Sequence, residues 1–270
     1  MSAVNTASSF IENAPPGELT EVINDIGSLL DDLSISDKLA PAVEKYNKEQ
    51  FVTTKLPGGS ALVIVSEHND LGGGRFYDSE SASSFTYNHK TQKASDVQSY
   101  PIEGEHASTV KSLLRDVGNH VKEHFPSLPA YGVYPTDDGI AILIVGNKYS
   151  PSNYWNGRWR STYIFNPSSS TLTGSIAVDV HYYEDGNVRL VTEKAVNESL
   201  RSTTSAEVAR AIASVEKKYQ EELNRAFGAL SEGAFKNLRR QLPVTRQKMD
   251  WQKASAYKIG QDIGGGGRAR

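Results

Sequence analysis

The chain contains no cysteine in 270 residues, which excludes both a disulfide framework and a thiolate zinc site. It also lacks an apolar run long enough to cross a bilayer; the longest, around Ile140 to Val145, has the length of a buried strand. The amino terminus, Met1 to Phe10, is small and polar without an apolar centre, so it does not read as a secretory signal. A soluble protein of a reducing, intracellular compartment is expected. Nor is the chain basic throughout: 29 Lys and Arg against 32 Asp and Glu give a net charge of -3. Attraction to a polyanion must therefore be local. Gly72-Gly73-Gly74 lacks the Gly-Lys-Ser/Thr ending and the helix start of a phosphate cradle, and is expected to be a flexible turn.

What is present reads as an α+β fold. From Ser9 to about Gln50 the pattern is helical and broken into pieces. The first begins at Phe10 and Ile11 and stops at Pro15-Pro16-Gly17. Leu19, Val22, Ile23, Ile26, Leu29 and Leu30 then recur at three and four residues, the spacing of a one-sided stripe. Leu39, Val43, Tyr46 and Asn47 predict a third helix, with Ser36 as its cap. Pro57-Gly58-Gly59 turns the chain before a strand at Ala61 to Ser66, and Ser84 to His89 reads as a short strand. Lys90 to Glu105 is polar and expected to be irregular. Val110, Leu113, Leu114, Val117 and Val121 mark a helix that must end before Pro126.

Strands are then expected at Tyr131 to Tyr134, Gly139 to Tyr149, Gly157 to Phe165, Gly174 to Tyr183 and Val188 to Glu193. Short turns join them, including the hairpin Glu184-Asp185-Gly186-Asn187, so the sheet should be an antiparallel meander. Trp159, Ser161 and Tyr163 share parity and predict an aromatic-rich inner face. Trp155, Trp159 and Arg160 are expected in sheet packing or at a subunit interface rather than in a ligand site. From Thr204-Ser205, Val208, Ile212, Val215, Tyr219, Leu223 and Phe227 begin a helix that meets no proline until Pro243. It would be about 55 Å long at 1.5 Å per residue and should pack across the sheet.

The stretches are thus 1–52, an N-terminal helical bundle; 53–202, a central loop and helix region with the antiparallel sheet; 203–243, the long helix; and 244–270, a mobile basic tail carrying a short amphipathic helix. They make one structural domain plus a tail.

One motif resembles enzyme chemistry. His120, Glu123 and His124 fit H-x-x-E-H, which sets two imidazoles on one helical face with a carboxylate beside them. A helix end explains the same residues through its dipole and solvent.

The strongest feature is Phe235 to Trp251. Lys236, Arg239, Arg240, Arg246 and Lys248 stand there against the single acid Asp250, interleaved with Phe235, Leu238, Leu242, Met249 and Trp251. A local positive field with hydrocarbon between its charges suits an acidic protein surface or an anionic membrane interface. A solvated helix end is the plain alternative. The segment 236–258 could also be a phosphoinositide or other polyanion module, although the stacking platform that single-stranded nucleic acid prefers is missing.

Three strings carry a resemblance. Leu238-Arg239-Arg240-Gln241-Leu242-Pro243-Val244-Thr245-Arg246, Tyr154-Trp155-Asn156-Gly157-Arg158-Trp159-Arg160-Ser161 and His181-Tyr182-Tyr183-Glu184-Asp185-Gly186-Asn187-Val188 are similar to signatures of the F-actin capping protein alpha subunit family. The likeness runs from about Phe10 to about Gly260. It implies a non-enzymatic protein without metal or cofactor, paired with a beta subunit of similar fold into a heterodimer. Its sheets would join side by side and its long helices cross on top. That complex would bind the barbed, fast-growing end of the actin filament, independently of calcium, and block subunit addition and loss in the cytoplasmic, cortical actin cytoskeleton. The resemblance places actin contact at Lys236, Arg239, Arg240, Leu242, Arg246, Lys248, Met249 and Trp251, and inhibition by phosphoinositides at Lys236, Arg240 and Arg246. Regulatory proteins are expected to cover the same surface. After Trp251 the family pattern has large apolar residues where this chain has Ala254 and Ser255, which thins the apolar face of the tail helix.

Overall fold

The computed structural model describes residues 3–30, 35–125, 127, 129–137, 139–184 and 187–229. The chain forms two compact units, residues 1–215 and 216–270.

The first unit opens with four helices: α1 (Ala3–Glu12), α2 (Leu19–Leu30), α3 (Ile35–Lys38) and α4 (Ala40–Glu49). α1 begins well before the expected Phe10, because Ala7 and Ile11, one turn apart, are both buried and anchor a helix across the polar residues between them. Ser36, the expected cap, lies within α3. α4 starts instead from Leu39 with Pro41 in its first turn, where a missing N–H costs nothing. Ile11, Leu19, Ile26, Leu39, Val43 and Tyr46 close one core among these helices, and Phe76, Phe85 and Tyr87 extend it into a small sheet.

Two small sheets follow. β1 (Thr53–Lys55) and β2 (Leu62–Ile64) pair antiparallel across the Pro57-Gly58-Gly59 turn. β3 (Asp70–Gly72), β4 (Arg75–Asp78), β5 (Ser83–Asn88) and β6 (Lys93–Ser99) form a four-stranded sheet in chain order. Gly72, Gly73 and Gly74 all take positive φ at its first turn. β6 replaces the irregular segment expected after Lys90. Its side chains are mostly exposed, so it shows no apolar alternation. The turn before it creates the pairing instead: Asn88 Oδ1 accepts the Lys90 and Thr91 amides at 3.0 and 2.9 Å.

After α5 (Ala107–His124) comes the main sheet: β7 (Ala130–Thr136), β8 (Gly139–Ser150), β9 (Trp155–Asn166), β10 (Thr171–Tyr182) and β11 (Val188–Ser199). The spatial order β11-β10-β9-β8-β7 is the antiparallel meander. Ile140 to Val145 on β8 are all fully buried, so that strand is covered on both faces. One face meets Phe51 and Ile64 with Leu143 and Val145. α5 packs on the neighbouring β7.

Strands β9 and β11 exceed their expected limits. β9 begins at Trp155, which brings that tryptophan into the strand and onto the face of Trp159, Ser161 and Tyr163. β11 continues past Glu193 to Ser199 on the ladder to β10, with Val196 its one buried residue there and no apolar alternation around it. Pairing of β10 with β11 starts at Tyr182 and Val188, across the expected hairpin; Asp185 and Gly186 of that turn lie outside the described residues.

The last described element, α6 (Ser205–Ala229), has 25 residues, about 37 Å of helix. Ser205 Oγ donates to Asp116 Oδ2 of α5 at 2.6 Å, and Val208 and Ile212 are fully buried. The remainder of the long helix through 243, Pro243 itself and the tail helix lie outside the described residues.

Gly174 shows how closely the meander is fitted. It sits at φ +154°, and a Cβ there would lie 1.9 Å from the Thr162 carbonyl oxygen of β9. Backbone meets backbone, so no side-chain rotation relieves the clash. Gly174→Ala is expected to destabilise the fold by roughly 2–3 kcal/mol, read as a lower urea midpoint for the full chain in its native assembly. An unchanged midpoint would contradict this packing.

Candidate functional site

The residues that sequence reasoning singles out for binding, Lys236, Arg239, Arg240, Leu242, Arg246, Lys248, Met249 and Trp251, all lie outside the described residues. The other two similar strings are described except for Asp185 and Gly186, and the structure brings their described residues together.

Strand register places them in parallel rows on one face of the main sheet. Tyr149, Asn156, His181 and Arg189 form one row, and Asn147, Arg158, Asp179 and Val191 the next. Farther along the same face, Val145 stands beside Arg160. This face is apolar near Leu143 and charged beyond Val145.

Asp179 is 3% exposed. Arg189 grips it bidentately, Nε to Oδ1 at 2.9 Å and Nη2 to Oδ2 at 2.6 Å. This hydrogen-bonded ion pair holds the Arg189 guanidinium above its ordinary pKa. Arg189 also donates through Nη1 to the Asn13 carbonyl. Glu18 completes the attachment of the loop before α2: its oxygens lie 2.8 and 2.9 Å from His181 Nδ1, and it accepts from Asn156 Nδ2 at 2.8 Å. His181 Nε2 in turn meets Asn187 Oδ1 at 2.6 Å. Tyr46 of α4 donates to the Pro15 carbonyl at 3.2 Å. Loop residues 13–18, α4 and the sheet are thereby joined through polar groups.

Two more arginines share this face. Arg158 is buried and donates from Nε to Asn147 Oδ1 at 2.7 Å and from Nη2 to Tyr149 OH at 2.8 Å. Arg160 donates to the Glu49 carbonyl and lies over the Phe51 ring at 5.9 Å. Burial, reinforced by the neighbouring Arg158 charge, lowers the Arg160 pKa from its usual value. Gly17 accommodates the contact from the loop: its φ is +79°, and a Cβ would stand 2.9 Å from the Tyr149 ring.

The opposite face is aromatic, as its parity predicts. Tyr163, Phe165 and Ser161 are fully buried. Trp159 donates its indole N–H to Ser161 Oγ at 2.8 Å and meets Phe125 edge-on at 6.3 Å. Lys148 lies 5.7 Å over the Trp155 ring. An apolar groove of about 230 Å³ runs here between Phe125, Gly157, Val178 and Val180.

His120 and His124 do not make a metal centre with Glu123. Their rings tilt together at 4.5 Å, His124 Nδ1 lies 2.9 Å from the His120 carbonyl, and Glu123 is exposed. No group of three His, Cys, Asp or Glu side chains among the described residues could hold a metal ion.

Sequence reasoning missed Asp179, Arg189 and Glu18. A signal was available: Asp179 interrupts Ile176-Ala177-Val178-Asp179-Val180, a strand otherwise written in apolar residues, and a buried carboxylate must be paired. Asp179→Asn leaves a cluster of arginines without that charge and is expected to cost about 3 kcal/mol. Arg189→Met should cost less, since Arg189 is partly solvated. Denaturant unfolding of both variants in the native assembly checks the order, and equal or inverted losses would show that Asp179 is not the central charge.

The comparisons with known proteins accord with this architecture. The family model described as F-actin capping protein alpha subunit matches residues 7–262. The F-actin-capping protein subunit alpha of Gibberella zeae is 60% identical over the whole of both chains. That of Neurospora crassa is 58% identical over 97% of each, and that of Caenorhabditis elegans 40% identical over 96% of each. Among solved structures, the homodimeric actin capping protein alpha subunit from Plasmodium berghei superposes with a TM-score of 0.69 at 20% identity, over 90% of this chain and 99% of that one, a likeness of fold. With a family match over nearly its full length and relatives this similar, the chain belongs to the F-actin capping protein alpha subunit family.

Proposed function

We propose that this chain is the alpha subunit of a heterodimer that caps the barbed end of actin filaments, calcium-independently, and blocks subunit addition and loss there. The observation that carries the reading is the family match through residue 262, which includes the basic, apolar-studded run from Phe235 to Trp251.

Lys236, Arg239, Arg240, Arg246 and Lys248 supply a positive field that steers and orients the complex on acidic actin surface, a salt-sensitive contribution chiefly to association. Leu242, Met249 and Trp251 bury hydrocarbon against the terminal protomer and slow departure. Long residence is what capping requires. Phosphoinositides, whose phosphates are attracted by Lys236, Arg240 and Arg246, would compete for the same cations, as would a regulatory protein with an acidic face. The site of action is the cytoplasm and its cortical actin.

A beta subunit of similar fold is the natural partner for the main sheet. β11 is one of its two outer strands, twelve residues long, with Val188 60% and Val191 65% exposed. A long edge of this kind favours pairing with another strand. The apolar groove at Val178 and Val180 on the adjoining face offers such a partner further area.

Charge reversal tests the binding site. Lys236→Glu, Arg240→Glu and Arg246→Glu together, in an intact heterodimer, are expected to weaken inhibition of elongation from actin seeds by at least about 100-fold. Wild-type capping by that heterodimer would refute the assignment. Binding of the same variant to vesicles carrying phosphoinositides separates the polyanion reading: capping lost with lipid binding intact would place the two ligands on different residues.

A further inference from the structure

The guanidinium of Arg158 is buried on the polar face of the main sheet with one of its nitrogens unsatisfied. Its side chain belongs to a residue 5% exposed. The acceptors at Nε and Nη2, Asn147 Oδ1 and Tyr149 OH, are both uncharged groups. The third nitrogen, Nη1, is buried and has no hydrogen-bond partner among the described residues. Asp179 stands opposite Arg158 on β10, but both its oxygens are engaged by Arg189. Arg160, two residues along the same face, adds positive charge. A buried guanidinium nitrogen without an acceptor, in a face where one carboxylate stands among three arginines, is unfavourable and favours a further anionic acceptor.

A cavity of about 190 Å³ lies against this side chain. At about 30 Å³ per water it has room for roughly six water molecules. Its polar lining comes from Thr20, Tyr46, Thr53, Gln92 and Tyr149 together with Arg158, and no lining residue carries a carboxylate. Hydroxyls and a side-chain amide can donate to an anion. An acid-free cavity with an arginine in its wall disfavours a metal cation.

We propose that this cavity binds a small inorganic oxoanion of the phosphate or sulfate class, held by Arg158 Nη1 and by donors from Thr20, Thr53 and Gln92. The anion supplies the missing acceptor, and added negative charge, where the loop before α2, α4 and the sheet meet. Because it binds a site built from all three, it stabilises the folded state by mass action. The site requires no filament and no membrane.

Two measurements on the full chain in its native assembly test this. In crystals grown with selenate, an anomalous selenium peak is expected within hydrogen-bonding distance of Arg158 Nη1. Ordered water there with no selenium peak would overturn the proposal. In solution, exchanging chloride for phosphate at constant ionic strength is expected to raise the thermal midpoint by about 3 °C. Arg158→Met should abolish that increment, and Thr53→Val should reduce it. An undiminished increment in a folded Arg158→Met protein would mean that phosphate acts elsewhere. If that variant does not fold, the selenate result and the Thr53→Val comparison still decide.

Discussion

The placement of the N-terminal helices depends on one carboxylate. Asp179 projects from the middle of an apolar strand into a face that also carries Arg158, Arg160 and Arg189. Three guanidiniums on one side of a sheet would repel one another and the low-dielectric interior. With Asp179 present, Arg189 becomes a bridge: its charge is held by the carboxylate while its remaining donors reach the Asn13 and Ala14 carbonyls. Those carbonyls lie after the end of α1, where peptide groups need partners from outside the helix. The ion pair therefore does for the loop what hydrophobic burial does for the helices on either side of it.

This accounts for two of the three strings by which the family was legible. Asn156, Arg158 and Arg160 come from the first, and His181 and Asn187 from the second. All five face the loop and α4 or hold residues that do. Their physical role is architectural: they let a polar sheet face receive a helical layer while most of its buried polar groups find partners. The third string, Leu238 to Arg246, has a different character. Its cations have few acids beside them in sequence, which is the composition of a surface that finds its counter-charge in another molecule.

Much of the fold could be read from periodicity. The run Ile140 to Val145 announces a strand covered on both faces, and α5 shows its stripe of Val110, Leu113, Val117 and Val121, all buried. β6 and the second half of β11 were illegible because β6 is mostly exposed and the end of β11 buries only Val196, too little to leave an alternation. A strand defined only by its ladder leaves no alternation in the sequence. The polar junction was hidden for a related reason. That Asp179 meets Arg189, and Glu18 meets His181 from 163 residues away, follows from register and from loop placement, neither of which a linear pattern encodes. The basic segment stands out in the sequence because clustering along the chain is itself the signal.

The division of labour within the proposed binding segment follows from kinetics. A cap is effective in proportion to how long it stays, and affinity among related complexes varies mostly through dissociation. Charges at a rim accelerate arrival and are screened within about 8 Å at physiological ionic strength, so they contribute little to holding on once solvent re-enters. Buried aromatic and aliphatic groups act in the opposite way. Trp251 is the largest apolar residue in the segment, and tryptophan is enriched among residues that dominate interface energy. With Ala254 and Ser255 following it, the tail has little hydrocarbon beyond that point until Tyr257. On the proposed function, retention rests on Leu242, Met249 and Trp251, close in sequence to the same cations that would direct the approach. Arrival and residence are assigned to neighbouring residues of one short segment, and an acidic regulator that covers the cations would also cover the apolar groups between them.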